Sequence, residues 1–218
     1  MVGMQIKYYG KMALIYENKV PEAYRTAFIN KVKEVAPRVG LDPNWLMAIM
    51  YFESAGTFSP SITNPLGYVG LIQFGESARK TLGVTKEQLK AMTAVEQLDY
   101  VEKYFKLHQG KYKTYIDAYF AVFFPPAIGK PDDWVIEGGG LTAKQIYDAN
   151  PAFRSVKDGK LRVWEVKKTM LEKLPSQWLK DGSFSLAIKA YKNYIAVGIV
   201  SILTGLTLYY YHGRGNSK

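Results

Sequence analysis

The chain has 218 residues, 48% of them apolar, no cysteine, and a formal net charge of +10. That length and apolar content suit one sizeable core, and the missing cysteines exclude disulfides, thiolate metal sites and cysteine nucleophiles. Two histidines, His108 and His212, lie far apart without metal-ligand spacing, which speaks against a zinc site or a Ser-His-Asp triad. Residues 1–20 lack the charged, then apolar, then small order of a secretory signal, so none is expected. Residues 21–36 predict an amphipathic helix, with Tyr24, Phe28, Val32 and Val35 at helical spacing. Gly40 and Asp42 then turn the chain into a second helix. Asp42 is placed to accept from first-turn amides, and Pro43 suits the first helical position. The next ten residues are almost all apolar, so this helix is expected to be wrapped by protein. Glu53 comes at its end and Gly56 stops it. Burial and the negative end of the helix dipole both oppose ionisation there, so Glu53 is expected to hold its proton near neutral pH, as a general acid must.

Residues 57–70 read as a loop rich in Ser, Thr, Pro, Asn and Gly. Residues 76–82 predict a short helix ended by Gly83. Thr85-x-x-Gln88, Thr93-x-x-Glu96 and Thr142-x-x-Gln145 each have the form of a capping box and each should open a helix. The helix from Thr93 should run to about His108, with Leu98, Val101 and Phe105 on one face. Residues 114–124 form another apolar helix, stopped by Pro125 and Pro126. Residues 163–174 make the last helix of the folded body, ended by Pro175. No sustained period-two alternation or internal repeat is present, so the fold class is all-α. Residues 195–208 carry no charge. Tyr191 and Tyr194 precede them, Tyr209, Tyr210 and Tyr211 follow, and basic residues lie outside both belts, which is the pattern of a transmembrane helix from Tyr194 to Tyr211. The expected organisation is thus a catalytic body over residues 1–185 and a membrane anchor with a short basic tail over residues 186–218. The basic excess gathers just before that anchor, which suits an anionic membrane surface as well as a plain solvated face, and no nucleic-acid-binding motif accompanies it.

The run Glu53-Ser54-Ala55-Gly56, followed by a polar loop and then Gly67-Tyr68-Val69-Gly70-Leu71-Ile72-Gln73-Phe74, resembles the signature of the lytic transglycosylases and goose-type lysozymes. In that family Glu-Ser-x-Gly precedes Gly-x-x-Gly-Leu-x-Gln. The resemblance implies a lysozyme-like fold, Glu53 as the catalytic acid, and Ser54, Gly70 and Gln73 at the substrate. Ser54 would orient or solvate the acid. Gly67 and Gly70 would let backbone approach a sugar, and Gln73 would offer donor and acceptor to a hydroxyl or acetamido group. The family also carries an Ala-Tyr-Asn-Ala-Gly run. Here Ala118-Tyr119-Phe120-Ala121-Val122 keeps the Tyr, so Tyr119 is the expected partner of the acid, but it lacks the Asn and the Gly. The continuation Ala121-Val122-Phe123-Phe124-Pro125 looks more like the phage-associated branch.

Phage-type relatives often carry an EF-hand-like loop, and residues 154–165 match it in part. Asp158, Gly159, Leu161 and Glu165 fall at the fifth, sixth, eighth and twelfth positions. Arg154 and Val156 stand at the first and third, where oxygen ligands are needed, so the loop's shape is expected without its calcium. No metal or cofactor is expected elsewhere. Between Glu53 and Glu76 there is no second carboxylate, whereas ordinary glycosidases use two. The resemblance implies why one is enough: the C6 hydroxyl of N-acetylmuramic acid closes on its own C1, cutting the bond to N-acetylglucosamine in peptidoglycan and leaving a 1,6-anhydro end. A hydrolytic muramidase on the same fold is the nearest alternative, and a non-catalytic, membrane-anchored glycan-binding or structural virion protein the next. The phage-type likeness with a C-terminal span implies a virion enzyme, held in a phage's internal membrane or particle, or else an enzyme of the bacterial cell membrane.

Overall fold

A computed structural model describes residues 13–179 and Phe184. The described residues are 53% helical and contain no strand, so the all-α class holds. The α-helices are α1 (Arg25–Arg38), α2 (Pro43–Glu53), α3 (Glu76–Leu82), α4 (Lys86–Ala91), α5 (Ala94–Lys106), α6 (Tyr115–Phe123), α7 (Ala143–Ala149) and α8 (Val163–Glu172). Among the described residues no helix is long and apolar enough to cross a membrane. The expected span from Tyr194 to Tyr211 lies outside the described residues.

The helix starts are local chemistry. The Asp42 carboxylate accepts from Asn44 N at 2.8 Å, with Pro43 in the first turn. Thr85, Thr93 and Thr142 all close the reciprocal capping boxes expected of them. A fourth box, Thr114 with Asp117, opens α6. Its third residue is Asp rather than Glu or Gln, so the usual pattern misses it. Residues 21–36 are not helical throughout: a single 3-10 turn over Glu22–Tyr24 leads into α1.

The core is built around α2. Leu46, Met47, Ala48, Ile49 and Met50 are all at most 2% exposed. Packing of α1 against both α2 and α5, and of α2 against α6, covers this helix on most sides. Truncating such a side chain, Leu46→Ala for example, costs about 2–5 kcal/mol. The burial fixes α2 as a rigid post, and its last residue is Glu53.

The end of α2 departs from expectation in one respect. Gly56 N bonds Tyr51 O at 2.7 Å and Ala55 N bonds Phe52 O at 3.1 Å, the paired closure of a Schellman motif. The left-handed residue at its first position is Ala55 (φ 50), with Gly56 (φ 81) behind it. An L-residue there is held against a local penalty of about 1–2 kcal/mol.

In the loop over residues 154–165 backbone amides converge on the Glu165 carboxylate. Glu165 is fully buried; its Oε1 accepts from Ser155 N and Val156 N at 2.8 and 2.9 Å, and its Oε2 accepts from Arg162 N at 2.9 Å. The guanidinium of Arg162 bonds Asp158 Oδ2 at 2.6 Å, which holds the Asp158 carboxyl below its ordinary range. Arg154 turns outward, donating to the carbonyls of Tyr147 and Asp148.

Candidate active site

Glu53 sits at the C-terminal end of the buried post. It keeps part of its surface open, while protein surrounds the carboxyl closely. Burial pushes its pKa up to about 8, and a side-chain hydrogen bond from Tyr119 pulls the other way. The bond offsets burial only in part. The carboxyl is therefore largely protonated at neutral pH.

Tyrosine phenols surround it. Tyr119, on α6, is 1% exposed; its ring stacks on Phe123 with centroids 5.8 Å apart and meets Phe52 edge-on at 5.6 Å. Burial raises its pKa far above the usual phenol value, and the nearby Glu53 charge adds to the rise. The same two causes raise Tyr104 on α5 to about 12. Tyr115, at the start of α6, is raised by burial, by Tyr16 and by Glu53. All three phenols stay neutral through the range where Glu53 titrates, so each remains an O–H donor there. Among the described residues no carboxylate is a cause of the Glu53 shift, and no group of three or more His, Cys, Asp and Glu could hold a metal.

The expected partnership of Glu53 with Tyr119 is thus present in space, although 66 positions of sequence separate them. The loop residues form a second group. Gln73 is half-buried, and its Nε2 donates to Gly70 O at 3.1 Å and to Ile62 O at 3.4 Å. Tyr104 joins the two groups. Its ring meets Phe74 edge-on at 6.1 Å, and its phenol feels both Glu53 and Tyr68. Its own hydroxyl donates to Ala121 O at 2.8 Å, tying α5 to α6.

Two expected substrate contacts are corrected. Ser54 is 0% exposed, and its Oγ accepts from Phe58 N at 2.9 Å. It anchors the turn after α2 and has no surface to offer a sugar. Gly70 is also buried, and the space beside it is taken by protein: a Cβ there would stand 2.3 Å from Gln97 Oε1. The glycine makes room for that side chain, not for a glycan. Its φ of +83 adds a second reason for glycine.

Gln97 is the residue that sequence reasoning missed. It lies on the buried face of α5 with Ala94, Leu98, Val101 and Phe105. A polar residue within an apolar stripe was the available signal. Tyr104 was missed as well, because tyrosines are frequent in this chain and nothing local separates one of them from the rest. Strain gathers at the same place: Ala55, Phe58 and Gln73 all hold left-handed backbone at φ 50, 51 and 53. Non-glycine residues in that region persist only where their surroundings force them, and such positions cluster at functional sites.

A cavity of about 280 Å³ lies along Ala48, Tyr51, Phe52 and Ala55 of α2 and the turn after it, and Tyr115 lines it while Glu53 does not. The acid and its tyrosines are the candidate reactive centre on physical grounds, since the pKa shift and the strained loops are there. Comparison of the chain with protein-family models, with curated proteins and with solved structures finds no match in any of them.

Proposed function

We propose that this protein is a peptidoglycan-cleaving enzyme of the lytic transglycosylase type, cutting the bond between N-acetylmuramic acid and N-acetylglucosamine. One observation carries the reading: a carboxyl at the end of a buried helix, with a pKa of about 8, bordered by neutral tyrosines and with no second carboxylate acting on it. Such a group suits a single acid that gives a proton and then takes one back.

The protonated Glu53 donates its hydrogen to the glycosidic oxygen as the C1–O bond breaks. The electron pair of that bond leaves with the N-acetylglucosamine oxygen, which becomes a hydroxyl. The muramyl C1, left electron-poor, is attacked by the C6 oxygen of the same sugar, whose proton passes to the Glu53 carboxylate. No water is consumed, and the acid is restored. The Tyr119 hydroxyl steadies the carboxylate between the two transfers. Gln73, whose Nε2 is occupied by the loop, offers Oε1 to a sugar hydroxyl or acetamido N–H. Ser54 and Gly70 support this apparatus from behind. The segment from Tyr194 to Tyr211 would hold the body at a membrane, and the phage-like motif order favours a virion setting, with peptidoglycan strands as the partner.

The test is mass spectrometry of soluble products after the full-length protein, in mild detergent, acts on purified peptidoglycan. Muropeptides one water lighter than the hydrolysis products are expected, and they should vanish with Glu53→Gln. Full-mass reducing ends would make the protein a hydrolytic muramidase. No products from a folded protein would remove the enzymatic reading and leave a glycan-binding or structural one.

A further inference from the structure

Gln97 is fully buried, and its amide makes three of the four hydrogen bonds open to it. Its Oε1 accepts from Leu71 N at 2.7 Å; its Nε2 donates to Pro60 O at 2.9 Å and to Leu89 O at 3.0 Å. These three partners lie on three different segments. Pro60 belongs to the loop that follows Glu53, Leu71 to the turn that carries Gln73, and Leu89 to α4. A side chain on one rigid helix therefore pins both loops of the site at once. It also dictates the sequence of the second loop, since the close approach of its amide excludes a Cβ at position 70. Other ties act beside it, including a backbone bond between the same two loops, from Gly70 N to Ile62 O at 2.8 Å. Arg79 reaches Phe74 O at 2.8 Å and Gly67 O only at 3.4 Å, and Asn64 Oδ1 holds the turn at Leu66 N and Tyr68 N. None of them joins the two loops to a helix.

We propose that Gln97 is a positioning residue of the site: its amide fixes the Gly70–Gln73 turn relative to the loop after Glu53, so that Gln73 and the acid keep one working geometry. The proposal rests on the glycan-cleaving reading for its kinetic part and stands apart from it for its structural part. Leu71 and Leu89 are fully buried, while Pro60 is half-buried and its bond to Gln97 is only partly covered. An uncharged replacement of the same volume leaves the buried Leu71 N–H without its acceptor, and the turn moves to find water.

The experiment uses the full-length protein and three kinds of substitution. Gln97→Met keeps the volume and removes all three bonds. Amide exchange at Leu71 should then speed by at least about tenfold, as a buried bonded amide becomes an openable one. At a temperature well below the melting point, kcat/KM on peptidoglycan should fall by about 10–100-fold, as expected for a misplaced site. Gly70→Ala should be severe in the wild-type background, about tenfold or worse, and clearly milder, though not neutral, in a Gln97→Ala background: the obstructing amide is gone there, while the strain of a Cβ at φ +83 remains. Should Gln97→Met not fold, Gln97→Glu decides. It keeps the acceptor for Leu71 and loses the two donor bonds, so exchange at Leu71 should stay slow while kcat/KM falls.

Unchanged exchange at Leu71 in Gln97→Met would overturn the clamp. Fast exchange with unchanged kcat/KM would leave a clamp that positions nothing reactive and would overturn the proposal. An equal effect of Gly70→Ala in both backgrounds would do the same. If the wild-type protein cleaves no glycan, the glycan-cleaving reading fails, and exchange at Leu71 still decides whether Gln97 holds the loops.

Discussion

Replacing Glu53 by Gln should destroy activity and stabilise the protein together, and the second effect can be worked from the site. The folded pKa of about 8 stands above the ordinary 4.5, because burial disfavours the anion. A group whose pKa is raised on folding supports the fold fully below its unfolded pKa. That support is lost as pH rises toward the folded pKa, so the window runs from about pH 4.5 to 8. At 1.36 kcal/mol per pKa unit, the penalty on the wild-type protein above that window reaches a ceiling of about 5 kcal/mol. Glu53 is partly open to water, which screens the charge, so about 2–3 kcal/mol is the expected size. Glutamine has nearly the same shape and no charge, and so escapes the penalty. Urea unfolding of both proteins at pH 5 and pH 9 isolates it, because every other titration is common to the two. The expected result is agreement within about 1 kcal/mol at pH 5 and a variant about 2–3 kcal/mol more stable at pH 9. Cleavage by the wild-type protein should fall as pH rises through about 8, where the acid loses its proton. A stability difference that does not change with pH would refute the raised pKa, and with it the argument for a proton donor.

Three further outcomes follow from neighbouring residues. Tyr119→Phe removes the one interaction that lowers the Glu53 pKa, so the alkaline limb of the rate profile should move upward while kcat falls by about 10–100-fold; a limb that stays in place would detach Tyr119 from the acid. Ala55→Gly relieves the left-handed strain at the end of α2 and should stabilise the protein by about 0.5–1 kcal/mol in thermal or urea unfolding, with cleavage retained. Glu165→Ala removes a buried carboxylate that accepts from three part-buried amides and should lower stability by about 1–3 kcal/mol, whereas millimolar calcium should leave the melting point of the wild-type protein where it is. A rise in melting point with calcium would show that the loop binds the ion despite Arg154 and Val156.

Much of this molecule could be read without its fold, and the legible parts share a cause. Asp42, Thr85, Thr93 and Thr142 bond to amides only two or three residues ahead, so a short stretch of sequence contains the whole interaction. The raised pKa of Glu53 was legible for a similar reason, since the eight apolar residues from Trp45 to Phe52 before it declare the burial that perturbs it.

The rest depended on elements far apart in the chain. Tyr104 stands between the acid and the loop only because α5 packs beside α6 and lays its ring on Phe74. Ser54 and Gly70 have the residue types of a substrate site, yet packing turns one hydroxyl to Phe58 and fills the space beside the other residue with Gln97. Gln97 itself bonds to partners 37 and 26 positions away, and in sequence it is simply a polar residue in an apolar stripe. A local pattern reports interactions that close within one helical turn. Which buried group meets which loop is set by tertiary packing, and in this protein that packing decided which residues can face a ligand and which hold them in place.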